Sequence, residues 1–289
     1  KFVSVNPVKT GYSAIADEWV GIRPGTDGLL VFSLIRELLL PDQVDFDYLA
    51  RYTNAGWLVI QDDGAADDGL FVRDDAGNVQ CWDKTLDGLG PVLDKDANPA
   101  LIGTRKLPDG RDAIPAFELL ARRFLDPAYA PEAVADRTGL EADTIRRLAA
   151  ELAHAAFQEE IRIDVAWTDF AGRRHDHMIG RPVSFHAMRG ISAHSNGFHT
   201  CRALHVLQSL LGSIDCPGGW RYRPPYPKAA PPAVLPTGPV ATPGDPLAGP
   251  PLGFPRGPED LLVDEAGGAL RIDKAFSWEA PISAHGMMH

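Results

Sequence analysis

Apolar residues recur along this chain in two rhythms. Short runs open it: residues 2–5, ended by Asn6-Pro7, and Glu18-Trp19-Val20-Gly21-Ile22, both of which predict strands. After Arg23-Pro24-Gly25-Thr26-Asp27 the spacing lengthens, and residues 28–40 predict a helix closed by Pro41. A short helix is expected at 45–53 and a strand at 57–61. Between 62 and 112, brief runs such as Leu70-Phe71-Val72 and Val79-Gln80-Cys81-Trp82 alternate with the turn signals Asp74-Asp75-Ala76-Gly77-Asn78 and Pro108-Asp109-Gly110, which predicts a β-hairpin excursion on the surface. Helical spacing returns at 113–157, where Pro131 suits a first helical position and Ile145, Leu148, Ala149 and Leu152 define one buried face. Residues 161–167 and 183–188 read as strands, and 198–211 as a long helix followed by Gly212. A helix running into a strand is the repeating unit of an α/β protein, so the expected fold is a mostly parallel, Rossmann-like sheet flanked by helices.

Beyond Asp215-Cys216-Pro217-Gly218-Gly219-Trp220 the composition changes. Thirteen of the 25 prolines fall between Pro224 and Pro258, too dense for helix or central strand. The expected organisation is therefore an α/β domain over 1–222, a proline-rich extended arm over 223–260, and the start of a neighbouring domain over 261–289. The chain opens with Lys1 already inside a strand and stops without a closing element, which leads us to expect a piece of a longer protein.

The formal charge of −11 over 289 residues argues against a nucleic-acid surface. No apolar run is long enough to span a bilayer, so no membrane insertion by this chain is expected. Cys81, Cys201 and Cys216 form no CxxC pair, so they supply neither a zinc knuckle nor a full iron–sulfur ligand set. The carboxylates between Asp62 and Asp75 lack the spacing of a calcium loop and read as a solvated face. The histidines include His175-Asp176-His177, His186, His194, His199 and His205 but no HExxH, and no metal ligand set is expected; His194 and Asn196 lie in a loop where they could meet a ligand. No G-x-S-x-G elbow, G-x-G-x-x-G fingerprint or P-loop is present, and no catalytic residue is assigned.

The Gly25-Thr26-Asp27 helix start remains. Free backbone N–H groups there, with a hydroxyl and a carboxylate beside them, suit an anion or nucleotide; a simple helix cap is the competing reading. In an open α/β sheet, ligands sit beyond the carboxyl ends of the strands, where Val5-Asn6-Pro7 and Met188-Arg189-Gly190 fall.

These residues resemble a family. Asn6-Pro7 followed by Ala16-Asp17-Glu18-Trp19-Val20-Gly21-Ile22-Arg23-Pro24-Gly25-Thr26-Asp27 is similar to the D-P-R…A-D-x-x-x-x-I-x-P-G-T-D segment of molybdopterin oxidoreductases of the dimethyl-sulfoxide-reductase family. Gly190…His194-Ser195-Asn196-Gly197…Leu210-Leu211-Gly212…Pro217-Gly218-Gly219 resembles that family's later G-x-x-x-x-x-x-G, helix, L-T-G-x-x-x-x-P-G-G pattern, in the same order. The resemblance implies molybdenum-bis(molybdopterin guanine dinucleotide) as cofactor, with Asn6, Lys9 and Thr10 lining the nucleotide, Gly25, Thr26 and Asp27 closing on it, and Arg189, Gly190 and Ala193 approaching the pterin or pyrophosphate. Asn6 stands where the family usually has Asp, and Val8 where it has Arg; many relatives carry Met and Gln at the positions of Arg189 and Ala193. The family's N-terminal [4Fe–4S] cysteines and its molybdenum ligand have no counterpart in these residues.

What the resemblance implies for a parent protein is two-electron redox chemistry on a small compound. Its implied partners are an iron–sulfur electron-transfer subunit, plus a membrane-anchor subunit, in the bacterial cytoplasm or periplasm, the former favoured. The arm and Trp278-Glu279-Ala280-Pro281 are most similar to the branch acting on inorganic sulfur compounds (sulfite, thiosulfate, tetrathionate, polysulfide). This segment by itself is expected to be inactive. Two alternatives stay open: an NAD(P)-type oxidoreductase with a degenerate fingerprint, and a non-catalytic nucleotide-binding or assembly module.

Overall fold

A computed structural model of the chain describes residues 1–187 and 189–220. The proline-rich arm, the expected neighbouring domain and Met188 lie outside the described residues. Two strands, β1 (Val3–Val5) and β2 (Glu18–Val20), lie side by side in parallel, and a 3₁₀ turn at Gly11–Ala14 joins them. Helix α1 (Asp27–Leu39) follows β2 and becomes the centre of the core: Ile35 and Leu38 on it are completely buried. Helix α2 (Phe46–Tyr52) is capped by Asp45, whose carboxylate accepts from the Tyr48 amide at 2.9 Å.

The excursion builds its own small core. Strand β3 (Leu58–Gln61), the hairpin β4 (Gln80–Asp83) with β5 (Gly88–Pro91), then β6 (Arg105–Lys106) and β7 (Asp112–Pro115) form antiparallel ladders in which β7 is the middle strand between β3 and β6. Leu58, Ile60, Val72, Leu107 and Ala113 are buried together, with Trp82 and Leu89 packed against them.

Helices α3 (Ala116–Phe124), α4 (Pro131–Thr138) and α5 (Ala142–Phe157) then return to the main core. Pro131 occupies the first position of α4 and Gly139 ends it in a left-handed conformation, φ +75°. The stripe on α5 buries Ile145, Leu148 and Ala149 as its spacing predicts, continues to Ala153 and Ala156, and leaves Leu152 partly covered. Each fully buried Leu or Ile contributes roughly 1.5–3 kcal/mol by leaving water.

The next strands depart from expectation. β8 (Ile161–Ile163) is not an inner parallel strand. It pairs antiparallel with β11 (Met178–Gly180), and its residues are exposed. The reason is the hairpin between them, β9 (Trp167–Thr168) and β10 (Arg174–His175), which reverses the chain. Asp169 holds that reversal by accepting from the amides of Ala171 and Arg173. Of the strand expected at 183–188, the described residues 183–187 make no ladder. A short helix, α6 (Arg189–Ser192), leads to α7 (Gly197–Leu210), whose Leu207 and Leu210 pack in the same core as α1. The α/β class holds, with strands and helices mixed along the chain; among the described residues β1 and β2 form the parallel ladder, an isolated bridge between Ile214 and Trp220 is also parallel, and the other ladders are antiparallel.

Candidate functional site

At the carboxyl end of β1 the chain makes a tight exit. The Asn6 amide donates to the Val20 carbonyl, Asn6 Oδ1 accepts from the Val8 amide at 3.0 Å, and the Asn6 carbonyl accepts from the Trp19 indole N–H at 2.9 Å. Asn6 thus spends its side-chain oxygen on the turn. Lys9 and Thr10 follow on this exit, both exposed.

The second segment is the turn before α1. Arg23 is committed elsewhere: its amide donates to the Thr138 carbonyl at 2.8 Å, and its guanidinium reaches the Asp136 carbonyl at the end of α4. Gly25 takes φ +77°, a conformation a side chain would strain. Thr26 sits at the N-cap position of α1 yet makes no side-chain bond to the helix. Its hydroxyl instead donates to the Arg23 carbonyl at 2.7 Å. The amides of Asp27 and Gly28 therefore find no acceptor among the described residues, and the helix start is open rather than capped. Asp27 stands half-buried at its head.

The third segment is the loop through α6 into α7. Gly190 and Ala193 are exposed, and nothing lies within 4 Å of where a Cβ on Gly190 would be. Arg189 is placed by its backbone in α6. This loop and the α1 turn meet: a Cβ on Gly25 would lie 3.7 Å from His194 Nδ1, and one on Gly28 would lie 2.8 Å from Thr200 Oγ1. Tyr12 and His186 meet edge-to-face, ring centres 6.1 Å apart, which ties the β1 exit to residues 181–187. So the expected nucleotide turn is brought against the α6–α7 loop, with His194, Thr200, Trp19 and Tyr12 as participants that sequence reasoning did not assign to the cofactor. The glycines at 25 and 28 were their signal. An open helix start, an exposed imidazole and a cradle that side chains would fill form a donor set that fits a nucleotide's phosphates.

A wide groove of about 1960 Å³ lies elsewhere and shares no residue with this site; Tyr48, Tyr52, Trp57, Trp167, Asp169 and Arg181 are among its lining. Several of its charged groups pair with one another. Asp169 is buried, 2.9 Å from His175 Nε2 and 3.4 Å from Arg51 Nη1, and His175 stacks on Trp167. Burial pushes the Tyr48 hydroxyl up to about 12, so it stays protonated. His175 is accordingly a hairpin residue. The cysteines are free; burial pushes the Cys81 thiol up to about 11 and raises Cys201 and Cys216 too, the opposite of an activated thiolate. Among the described residues no group of three or more His, Cys, Asp or Glu is arranged to hold a metal ion, and no helix is long and apolar enough to cross a membrane.

No protein-family profile matches the chain. Individual proteins do. A sulfite dehydrogenase subunit from Allochromatium vinosum is 50% identical over 100% of this chain and 31% of its own length. The chain belongs to the dimethyl-sulfoxide-reductase family of molybdopterin oxidoreductases. More distant members align as well. The formate dehydrogenase-O major subunit of Escherichia coli is 25% identical over 76% of this chain and 18% of its own. The alpha subunit of perchlorate reductase from Dechloromonas aromatica is 29% identical over 54% of this chain and 20% of its own. The chain thus spans under a third of the relative that matches it end to end. Several of these relatives are named as subunits.

Proposed function

We propose that this chain is the portion of a molybdenum oxidoreductase catalytic subunit that anchors the guanosine end of a molybdopterin guanine dinucleotide. The observation that carries the reading is the uncapped start of α1, with free Asp27 and Gly28 amides, closed from the far side by the loop before α7. Asn6, Lys9 and Thr10 line the nucleotide from the β1 exit; Gly25, Thr26 and Asp27 hold it at the turn, the Asp27 carboxylate accepting from guanine N–H groups; Gly190 and Ala193 approach the pyrophosphate through their backbone. Arg189 belongs to the same loop. Bound there, the cofactor supplies the redox chemistry, and this segment supplies position.

The parent enzyme, in this reading, holds a second such cofactor on the same molybdenum and a [4Fe–4S] cluster, and passes two electrons to an iron–sulfur subunit, itself joined to a membrane anchor. The name of the relative that is 50% identical over the whole chain supports sulfite as the compound oxidised, within the inorganic-sulfur branch. The competing NAD(P) reading lacks support at β1, whose exit is an Asn6-centred turn and not a glycine-rich one.

The test uses the full-length protein with its native partner subunits. Purified enzyme should release molybdenum and guanine nucleotide on denaturation and reduce an artificial acceptor when given sulfite. Asp27→Ala should lower both molybdenum and guanine content. Unchanged occupancy, or release of NAD instead, would overturn the assignment.

A further inference from the structure

We infer that His194 is the side chain through which the loop before α7 grips a phosphate oxygen of the nucleotide at the Gly25 turn, an inference that rests on the cofactor-site reading above. The imidazole lies across that turn with nothing between: a Cβ on Gly25 would be 3.7 Å from His194 Nδ1 and 3.9 Å from Cε1. The ring is exposed, and neither nitrogen has a hydrogen-bond partner among the described residues. Its backbone is fixed, because the His194 carbonyl accepts from the Gly197 amide at 2.9 Å in the turn that starts α7.

Charge decides what the ring meets. The turn's own cation, Arg23, is drawn away to the end of α4, and Asp27 brings a negative charge to the head of α1. With the Asp27 carboxylate taken by the guanine, a phosphate at the Gly25 turn needs donors from outside the turn. The start of α1 supplies the Asp27 and Gly28 backbone N–H groups, which have no acceptor among the described residues. Among the described residues, His194 adds the side-chain nitrogen that reaches Gly25 from the opposite loop, and an N–H donor on an anionic phosphate makes a charge-assisted bond. The base and ribose carry no comparable negative charge, so the ring's contribution falls on the phosphate.

The experiment uses the full-length protein with its partner subunits, produced in a host unable to make the cofactor, and titrates it calorimetrically with GDP and with guanosine. His194→Ala should weaken GDP binding about tenfold, as loss of one hydrogen bond to a charged group predicts. Guanosine binding should stay unchanged, and His194→Gln, which keeps an N–H donor, should recover part of the GDP affinity. Thermal melts matching wild type establish that the variants fold. Equal weakening of GDP and guanosine would show that His194 only shapes the pocket and would overturn the inference; so would GDP binding unchanged from wild type, which leaves the site itself standing. A wild-type protein that binds neither compound removes the site and this role with it.

Discussion

The indole N–H of Trp19, on β2, donates to the carbonyl oxygen of Asn6 at the end of β1, 2.9 Å away. The same ring lies over Gly21, where a Cβ would come within 2.9 Å of its carbons. One residue therefore sets where β1 stops and how its exit loop leaves. Trp19→Phe removes the donor and, with it, the outer indole ring that lies over Gly21. Urea unfolding should show a loss of at least about 1 kcal/mol, the net worth of the hydrogen bond alone. Cofactor occupancy in the parent should fall as well, because Asn6, Lys9 and Thr10 lose their frame. An unchanged melting curve with unchanged occupancy would mean that water replaces the indole at no cost.

Gly28 and Thr200 set the approach of α1 to α7. A Cβ on Gly28 would sit 2.8 Å from Thr200 Oγ1 but 3.7 Å from Thr200 Cβ. Gly28→Ala should destabilise by about 1–3 kcal/mol through overpacking. The double variant Gly28→Ala with Thr200→Ala removes the clashing oxygen and should recover most of that loss. A double-mutant cycle on equilibrium unfolding reads the coupling directly, and simple additivity would argue against the contact.

Acid sensitivity should come from the join between β2 and α5. Hydrogen bonds from Arg147, and then from Lys1, hold the Glu18 carboxyl below its ordinary 4.5; Lys1 chiefly does the same for Glu151. A carboxyl whose folded value is depressed adds stability that is fully present above its unfolded value and is lost as the pH falls through the folded one. The loss should thus begin near pH 4.5 and deepen below it. Glu18→Gln should flatten the stability-versus-pH slope in that acid range and leave the slope near neutrality unchanged. An unaltered acid limb would place the sensitivity elsewhere.

Asp45 has two duties that substitution separates. It caps α2 through the Tyr48 amide, and it pairs with Arg181 at 2.8 Å in a half-buried bridge. Asp45→Asn retains the cap and loses the ion pair, whereas Asp45→Ala loses both. The alanine variant should be the less stable of the two by about 1 kcal/mol, the worth of an N-cap. Equal stability would show that Arg181, not the helix start, is what Asp45 serves.

The helices were legible because burial on one face leaves a spacing in the sequence: Ile145, Leu148 and Ala149 announce α5 as they pack. Strand partners were not, since a strand's pattern says which face is apolar and nothing about direction. Ile161, Ile163 and Val165 look like an inner strand, yet they are exposed and β8 pairs backwards with β11 around the Asp169 reversal. At the site, the Gly25-Thr26-Asp27 turn was visible as a possible anion cradle, but a cap and an open helix start share one sequence. Only the Thr26 hydroxyl's choice of the Arg23 carbonyl separates them. That His194 would lie over Gly25 depended on packing between α1 and α7, which no local pattern encodes.

The contact between Gly28 and Thr200 also fixes an order of events. A chain emerging from the ribosome presents the α1 turn early and the partner loop only after the excursion and α3 to α5 have been made. Such a distant pairing closes late in folding. If the proposed site is the cofactor's, a half-made polypeptide has nowhere to hold the nucleotide, and loading waits for a chain complete at least through α7, so whatever delivers the cofactor meets an already folded client.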